Sequence, residues 1–205
     1  MTTQELYKQF RVPPSLQAHM IRVAQFASVV VESWNGPAID KTFIIQCALV
    51  HDLGNIVVFR NWFGDEQNDL VRWQQVQAEV VARYGTNDHE VTRQMLEAAK
   101  VDSKIIAVVL AKSSANSPKI AASDDWALKI LLYSDLRISP TGVVSLKDRL
   151  QEMYARSDKH KNLTGIPEAL DDVERQLQAH SSRELTAITE ADFILDTPTL
   201  LATNI

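Results

Sequence analysis

The chain has 205 residues, 45% of them hydrophobic and 23% charged, with a formal net charge of −5. That is long enough for one domain over residues 1–205 with a full core, and the apolar and charged shares are those of an ordinary globular protein. The acidic balance excludes a general binder of nucleic acid or of an anionic membrane, which needs a basic stripe; a small anionic substrate stays open, because a metal and a few local cations can override the global field.

Cys47 is the only cysteine, so there is no intrachain disulfide, which fits a reducing cytosol. Its place in IIQCALV suits a buried thiol acting as a small hydrophobe. The first residues, MTTQELYKQFRVPP, lack the apolar core of a signal peptide, and no run is expected to span a bilayer. A cytoplasmic protein without a membrane partner is therefore expected.

Pro13-Pro14-Ser15 punctuates the start of a helix to about Trp34, with Ser15 as its cap. Leu16, Val23, Ala27, Val30 and Trp34 form one stripe, and His19 falls in it and points inward. Asn35-Gly36-Pro37 ends this helix. Asp40 caps the next, Lys41 to Leu53, with Ile44, Cys47, Ala48 and His51 on its inner face and Gly54 as its stop. The His51-Asp52 doublet then lies in the last turn, about 100° apart on the helix and able to converge on one point.

Residues 56–69 break the helical period and mix aromatics with turn residues directly after the doublet, as functional loops often do. Trp62 and Phe63 there are expected to pack the loop onto the core. Leu70 to Tyr84 reads as a helix closed by Gly85. Asn87 with Glu90 resembles a capping box for a helix to about Lys100, and Asp102 caps a short apolar helix, Ser103 to Lys112. SSANSPKIAAS reads as a loop. Asp124 caps a helix to about Arg137, on which Leu128, Leu131 and Asp135 share a face. Ser145 with Asp148 starts a helix to about Arg156, and Pro167 opens a last one to about His180. His160 and His180 are expected in solvent. No segment requires a strand, so an all-α single-domain helical bundle is predicted.

His19, His51, Asp52 and Asp135 all fall on or at the end of inward helical faces. Two imidazoles and two carboxylates can hold one divalent cation and leave positions open, and a mixed set of this kind suits several metals. An inward carboxylate in ILLYSDL needs a cation or a dense shell of donors. Arg137, two residues on, faces a different side of the helix. A metal with an open position acidifies a bound water and polarises a phosphoryl oxygen, which points to hydrolysis.

The order and setting of the four residues resemble the HD superfamily of metal-dependent phosphohydrolases. The resemblance rests on LQAHMIRVAQFA around His19, IIQCALVHDLGN around His51 and Asp52, and KILLYSDLRIS around Asp135, and covers roughly residues 15–140. A helical extension over residues 145–205 follows. The resemblance implies the HD-type bundle, with His19, His51, Asp52 and Asp135 as ligands of a divalent ion (Mn, Fe, Co, Ni, Zn or Mg) and Asp52 as the catalytic carboxylate. It implies hydrolysis of a small phosphate ester, a nucleotide among the candidates, through metal-bound water.

Some family members build a second metal site with extra histidines. The helix from Ser103 to Lys112 carries none, so one metal is expected, and His89 reads equally as a pocket-lining residue or a surface residue at a helix start. Many family phosphodiesterases have a lysine where this chain has Asn55, after His51-Asp52-Leu53-Gly54. Arg60, Lys112, Lys119 and Arg137 are the cations that could take over its role, with Arg60 and Arg137 preferred; Arg60, His89 and Arg137 are thus the substrate-binding candidates. The alternative is a catalytically weak metal- or nucleotide-binding regulatory module of the same fold. A di-iron oxygenase would need more histidines near Asp52 than His89 alone. A homo-oligomer is left open.

Overall fold

A computed structural model describes residues 1–156 and 165–205. Among these residues the regular structure is eleven α-helices, several single 3₁₀ turns and one two-residue hairpin. The all-α bundle read from the sequence is the architecture found.

Helix α2, Pro14–Glu32, is its axis. Eleven of its nineteen residues are buried, including the unbroken run Phe26 to Val31. A helix with so much of its surface buried must be enclosed by others. Helices α3 (Lys41–Val50) and α8 (Trp126–Arg137) pack along it, and α6 (Ser103–Ala111) closes the group by packing on α3 and α8. Fully buried Met20, Phe26, Ile44, Leu49 and Tyr133 fill the space between them. Each such side chain stabilises the fold by about 1.5–3 kcal/mol relative to exposure.

Local caps set most helix starts. Asp40 accepts Phe43 N–H at α3, Asn87 accepts Glu90 N–H at α5 (Asp88–Ala98), and Asp102 accepts Lys104 N–H at α6. Ser145 Oγ accepts Asp148 N–H at 3.1 Å before α9 (Leu146–Arg156). Pro167 sits in the first turn of α10 (Ile166–Ala179). Helix α4 (Leu70–Tyr84) ends on Gly85, whose φ of 96° lies in the region glycine favours.

Elsewhere the structure corrects the expected elements. Ser15 does not cap α2: it lies inside the first turn, and its N–H is taken by the buried carboxylate of Glu66 at 2.6 Å. An orphan donor at a positive helix end is well matched by such an anion. Asp125, not Asp124, caps α8, accepting Leu128 N–H at 2.9 Å. The stretch read as a loop holds the five-residue helix α7, Ser117–Ala121. Residues 138–143 form a small antiparallel hairpin, Ile138 opposite Val143 and Ser139 opposite Gly142, although no strand was expected. His180 is packed against Trp34 and Trp126 at 5.3 and 4.9 Å between ring centroids, rather than standing in solvent. His160 lies outside the described residues.

Two corrections bear on the site. Helix α3 ends at Val50, so His51 is its C-cap residue and Asp52 belongs to the following turn. Gly54 has an unremarkable φ of −87°. Its missing side chain matters because a Cβ there would stand 2.5 Å from Thr92 N and 2.7 Å from Asp88 O. The turn after the doublet thus lies directly on the start of α5, and Thr92 Oγ1 accepts Gly54 N–H at 2.9 Å.

Residues 41–58 pass a length and composition test for a bilayer span, with a mean hydropathy of 1.2. The helical part, α3, has only ten residues, about 15 Å of rise against the ~30 Å a bilayer core requires. It packs against α2, α6 and α8. Trp62 packs on Phe59 and Trp73, as expected of the loop, whereas Phe63 is exposed.

Candidate metal centre

Four helices deliver the site. Helix α2 carries His19, the end of α3 presents His51 and Asp52, α8 carries Asp135, and the end of α6 presents Lys112. The four residues singled out in the sequence converge: one ligand atom from each of His19, His51, Asp52 and Asp135 lies within 4.8 Å of all the others.

Their atoms alternate around a ring. His19 Nε2 is 3.7 Å from Asp52 Oδ2 and 3.1 Å from Asp135 Oδ1. His51 Nε2 is 3.5 Å from Asp52 Oδ2 and 3.4 Å from Asp135 Oδ1. Atoms about 2.1 Å from one ion stand about 3.0–3.4 Å from their neighbours in octahedral or tetrahedral coordination. The spacing therefore suits a single divalent ion.

The chemistry of His51 supports the same fit. Its Nδ1 faces Ala48 O at 2.8 Å. A carbonyl only accepts, so Nδ1 carries the proton and Nε2 of the neutral ring presents a lone pair. Among the described residues Nε2 is buried without a hydrogen-bond partner and faces two carboxylate oxygens. Lone pair against lone pair is repulsive, so Nε2 requires either a proton or a metal ion. Burial opposes the proton, but Asp52 and Asp135 outweigh it and lift the imidazole to about 9. The carbonyl that fixes the tautomer is also what orients a metal-ligating imidazole.

Lys112 completes the centre. Its Nζ donates to Asp135 Oδ2 at 2.7 Å and to Asp52 Oδ1 at 3.2 Å. Each carboxylate thus gives one oxygen to the imidazoles and the other to the ammonium. Burial works against all three charges. For the carboxylates, Lys112 and His51 prevail and hold both well below the usual range; for Lys112, Asp135 and Asp52 raise the ammonium's pKa. With both rings neutral, two carboxylates and one ammonium sum to −1, which a divalent ion turns into +1.

A cavity of about 30 Å³ adjoins the centre, and a cleft of about 400 Å³ opens from it. Asp52, Asn55, Asp88, His89 and Lys112 line both. His89 is thus a lining residue, exposed at the mouth. The two preferred cations are elsewhere. Arg60 is exposed and lines neither space. Arg137 is buried, with donors to Val144 O, Leu185 O and the Tyr133 hydroxyl, and its guanidinium lies over the Phe26 ring at 5.1 Å. It ties α8 to the C-terminal segment and does not reach the cleft. Of the cations considered, Lys112 is the one at the centre. The signal for it was a polar residue ending the otherwise apolar run IIAVVLAK.

No family model matches the chain, and no match is found among curated proteins or solved structures.

Proposed function

We propose that the chain is a metal-dependent phosphohydrolase of the HD type, acting on a small phosphate ester in the cytosol, with nucleotides the first class to test. One observation carries this reading: four ligand atoms on two imidazoles and two carboxylates converge beside a buried ammonium, in the wall of a cleft of about 400 Å³. His19 Nε2, His51 Nε2, Asp52 Oδ2 and Asp135 Oδ1 would hold the ion. When bound, such an ion acidifies water and neutralises charge on a phosphoryl oxygen. The chain supplies the rest. Ala48 O keeps the proton of His51 on the ring nitrogen away from the centre. Lys112 holds the outer oxygens of Asp52 and Asp135, fixing both carboxylates while leaving their inner oxygens to the imidazole side. Its charge makes the loaded centre net cationic and suited to an anionic group.

A second reading, a catalytically weak binding module, is favoured by the same ammonium. Asp52 is the carboxylate suited to taking a proton from water, and Lys112 ties up one of its oxygens at 3.2 Å. The two readings separate in a turnover assay. Protein loaded in turn with Mn, Co, Ni, Zn, Fe or Mg is assayed for phosphate release from a panel of phosphate esters that includes nucleotides. The expected result is release from at least one, abolished by Asp52→Ala with helix content unchanged by circular dichroism. Absence of turnover with every metal would replace the hydrolase by the binding module.

A further inference from the structure

We propose that Arg149 on α9 is an anion-binding residue of this centre, its guanidinium meeting a phosphate oxygen of the ligand in the cleft. This deepens the hydrolase reading by naming a second contact for the phosphate, and it rests on that cleft being the ligand site. Nothing in the motif around the doublet pointed to Arg149, which follows the metal-ligating residues by fourteen positions and sits on another helix.

Arg149 and Met153 of α9 line the same cleft as Asp52, Lys112 and Asp135. Arg149 Nη1 is held by Glu152 at 2.6 Å. Its Nε is buried and has no hydrogen-bond partner among the described residues. A guanidinium donor without an acceptor is costly to bury, and the Nε edge is the one that binds oxyanions in a planar fork. Glu152 therefore steadies one corner of a guanidinium whose charge borders the cleft and is only partly matched among the described residues.

Charge supports the assignment. Among the described residues, Asp52, Asp88, Asp135, Lys112 and Arg149 are the charged side chains that line the cleft, and they sum to −1. With a divalent ion at the centre the sum becomes +1, and Lys112 and Arg149 both border the cleft. The apolar remainder, Leu132, Leu136 and Met153, suits a compact organic group attached to the phosphate.

The test uses inorganic phosphate as the probe, titrated calorimetrically into Mn²⁺-loaded protein. Wild type is expected to bind it. Arg149→Met is expected to weaken phosphate binding about tenfold or more, the loss of a charge-assisted hydrogen bond, with the Mn²⁺ affinity unchanged. Arg149→Lys keeps the charge without the fork and should fall between the two, which keeps the test sharp if the methionine variant folds poorly. Phosphate affinity of Arg149→Met within twofold of wild type would overturn the proposal, as would a wild type that binds no phosphate. Arg149-dependent phosphate binding in a protein that turns over no ester would leave this inference standing and remove the hydrolase. Turnover whose KM ignores Arg149→Met would do the reverse.

Discussion

Replacing Lys112 with methionine isolates the charge at the centre, since methionine keeps most of the apolar stem and removes only the ammonium. Lys112 Nζ is 2.7 Å from Asp135 Oδ2 and 3.2 Å from Asp52 Oδ1, and its side chain is 9% exposed against 15% and 18% for the two carboxylates. Breaking a buried ion pair by removing one partner costs about 3–5 kcal/mol. In a domain of this size each kcal/mol moves Tm by about 2–4 °C, so in chelator Lys112→Met should melt about 6–20 °C below wild type. A divalent ion restores a cation to the same two carboxylates, and the variant no longer sets a like charge beside it. The rise in Tm on adding Mn²⁺ should therefore be larger in Lys112→Met than in wild type. Calorimetry of both proteins, with and without the ion, reads all four values. A metal-free variant whose Tm matches wild type within the range of a neutral surface change would refute the reasoning, as would equal metal-induced rises.

Chelation of metal-loaded wild type should lower Tm by about 5–10 °C, the effect of losing about 2.7 kcal/mol at a hundredfold excess over Kd, and Asp135→Asn should blunt that response. The size of the metal shift should also depend on pH. The imidazole of His51 is lifted from 6.5 to about 9 in the fold, so its protonation stabilises metal-free protein fully below 6.5 and ever less as pH rises to 9. The ligated ring needs no proton, so the Tm gap should widen across that window; a constant gap would show that His51 is not a ligand. Gly54→Ala should destabilise by about 1–3 kcal/mol, the range for overpacking, because its Cβ would meet the backbone of Thr92 at 2.5 Å; an unchanged denaturant midpoint would contradict that contact. Burial pushes the Cys47 thiol up to about 12. Iodoacetamide near neutral pH should therefore leave the native protein unmodified and label it once unfolded, as mass spectrometry would read; prompt native labelling would contradict the buried position.

The chain's own order determined most of the long helices and four members of the centre. Caps such as Asp40, Asn87 and Asp102 act within three residues, so their meaning is local and legible. The inward faces of α2 and α8 follow from the helical period, and a polar His19 or Asp135 on such a face announces itself. Tertiary packing decided what those residues meet. Lys112 reaches Asp135 and Asp52 across 23 and 60 positions of sequence, and Glu66 reaches Ser15 across 51. Arg137 reads as a site cation two residues from Asp135, yet the helix turns it toward Tyr133 and Val144. Gly54 reads as a helix stop, yet the approach of α5 is what excludes its side chain. A helix fixes the direction of each side chain from its sequence alone, whereas the partner waiting in that direction is set by how the helices pack.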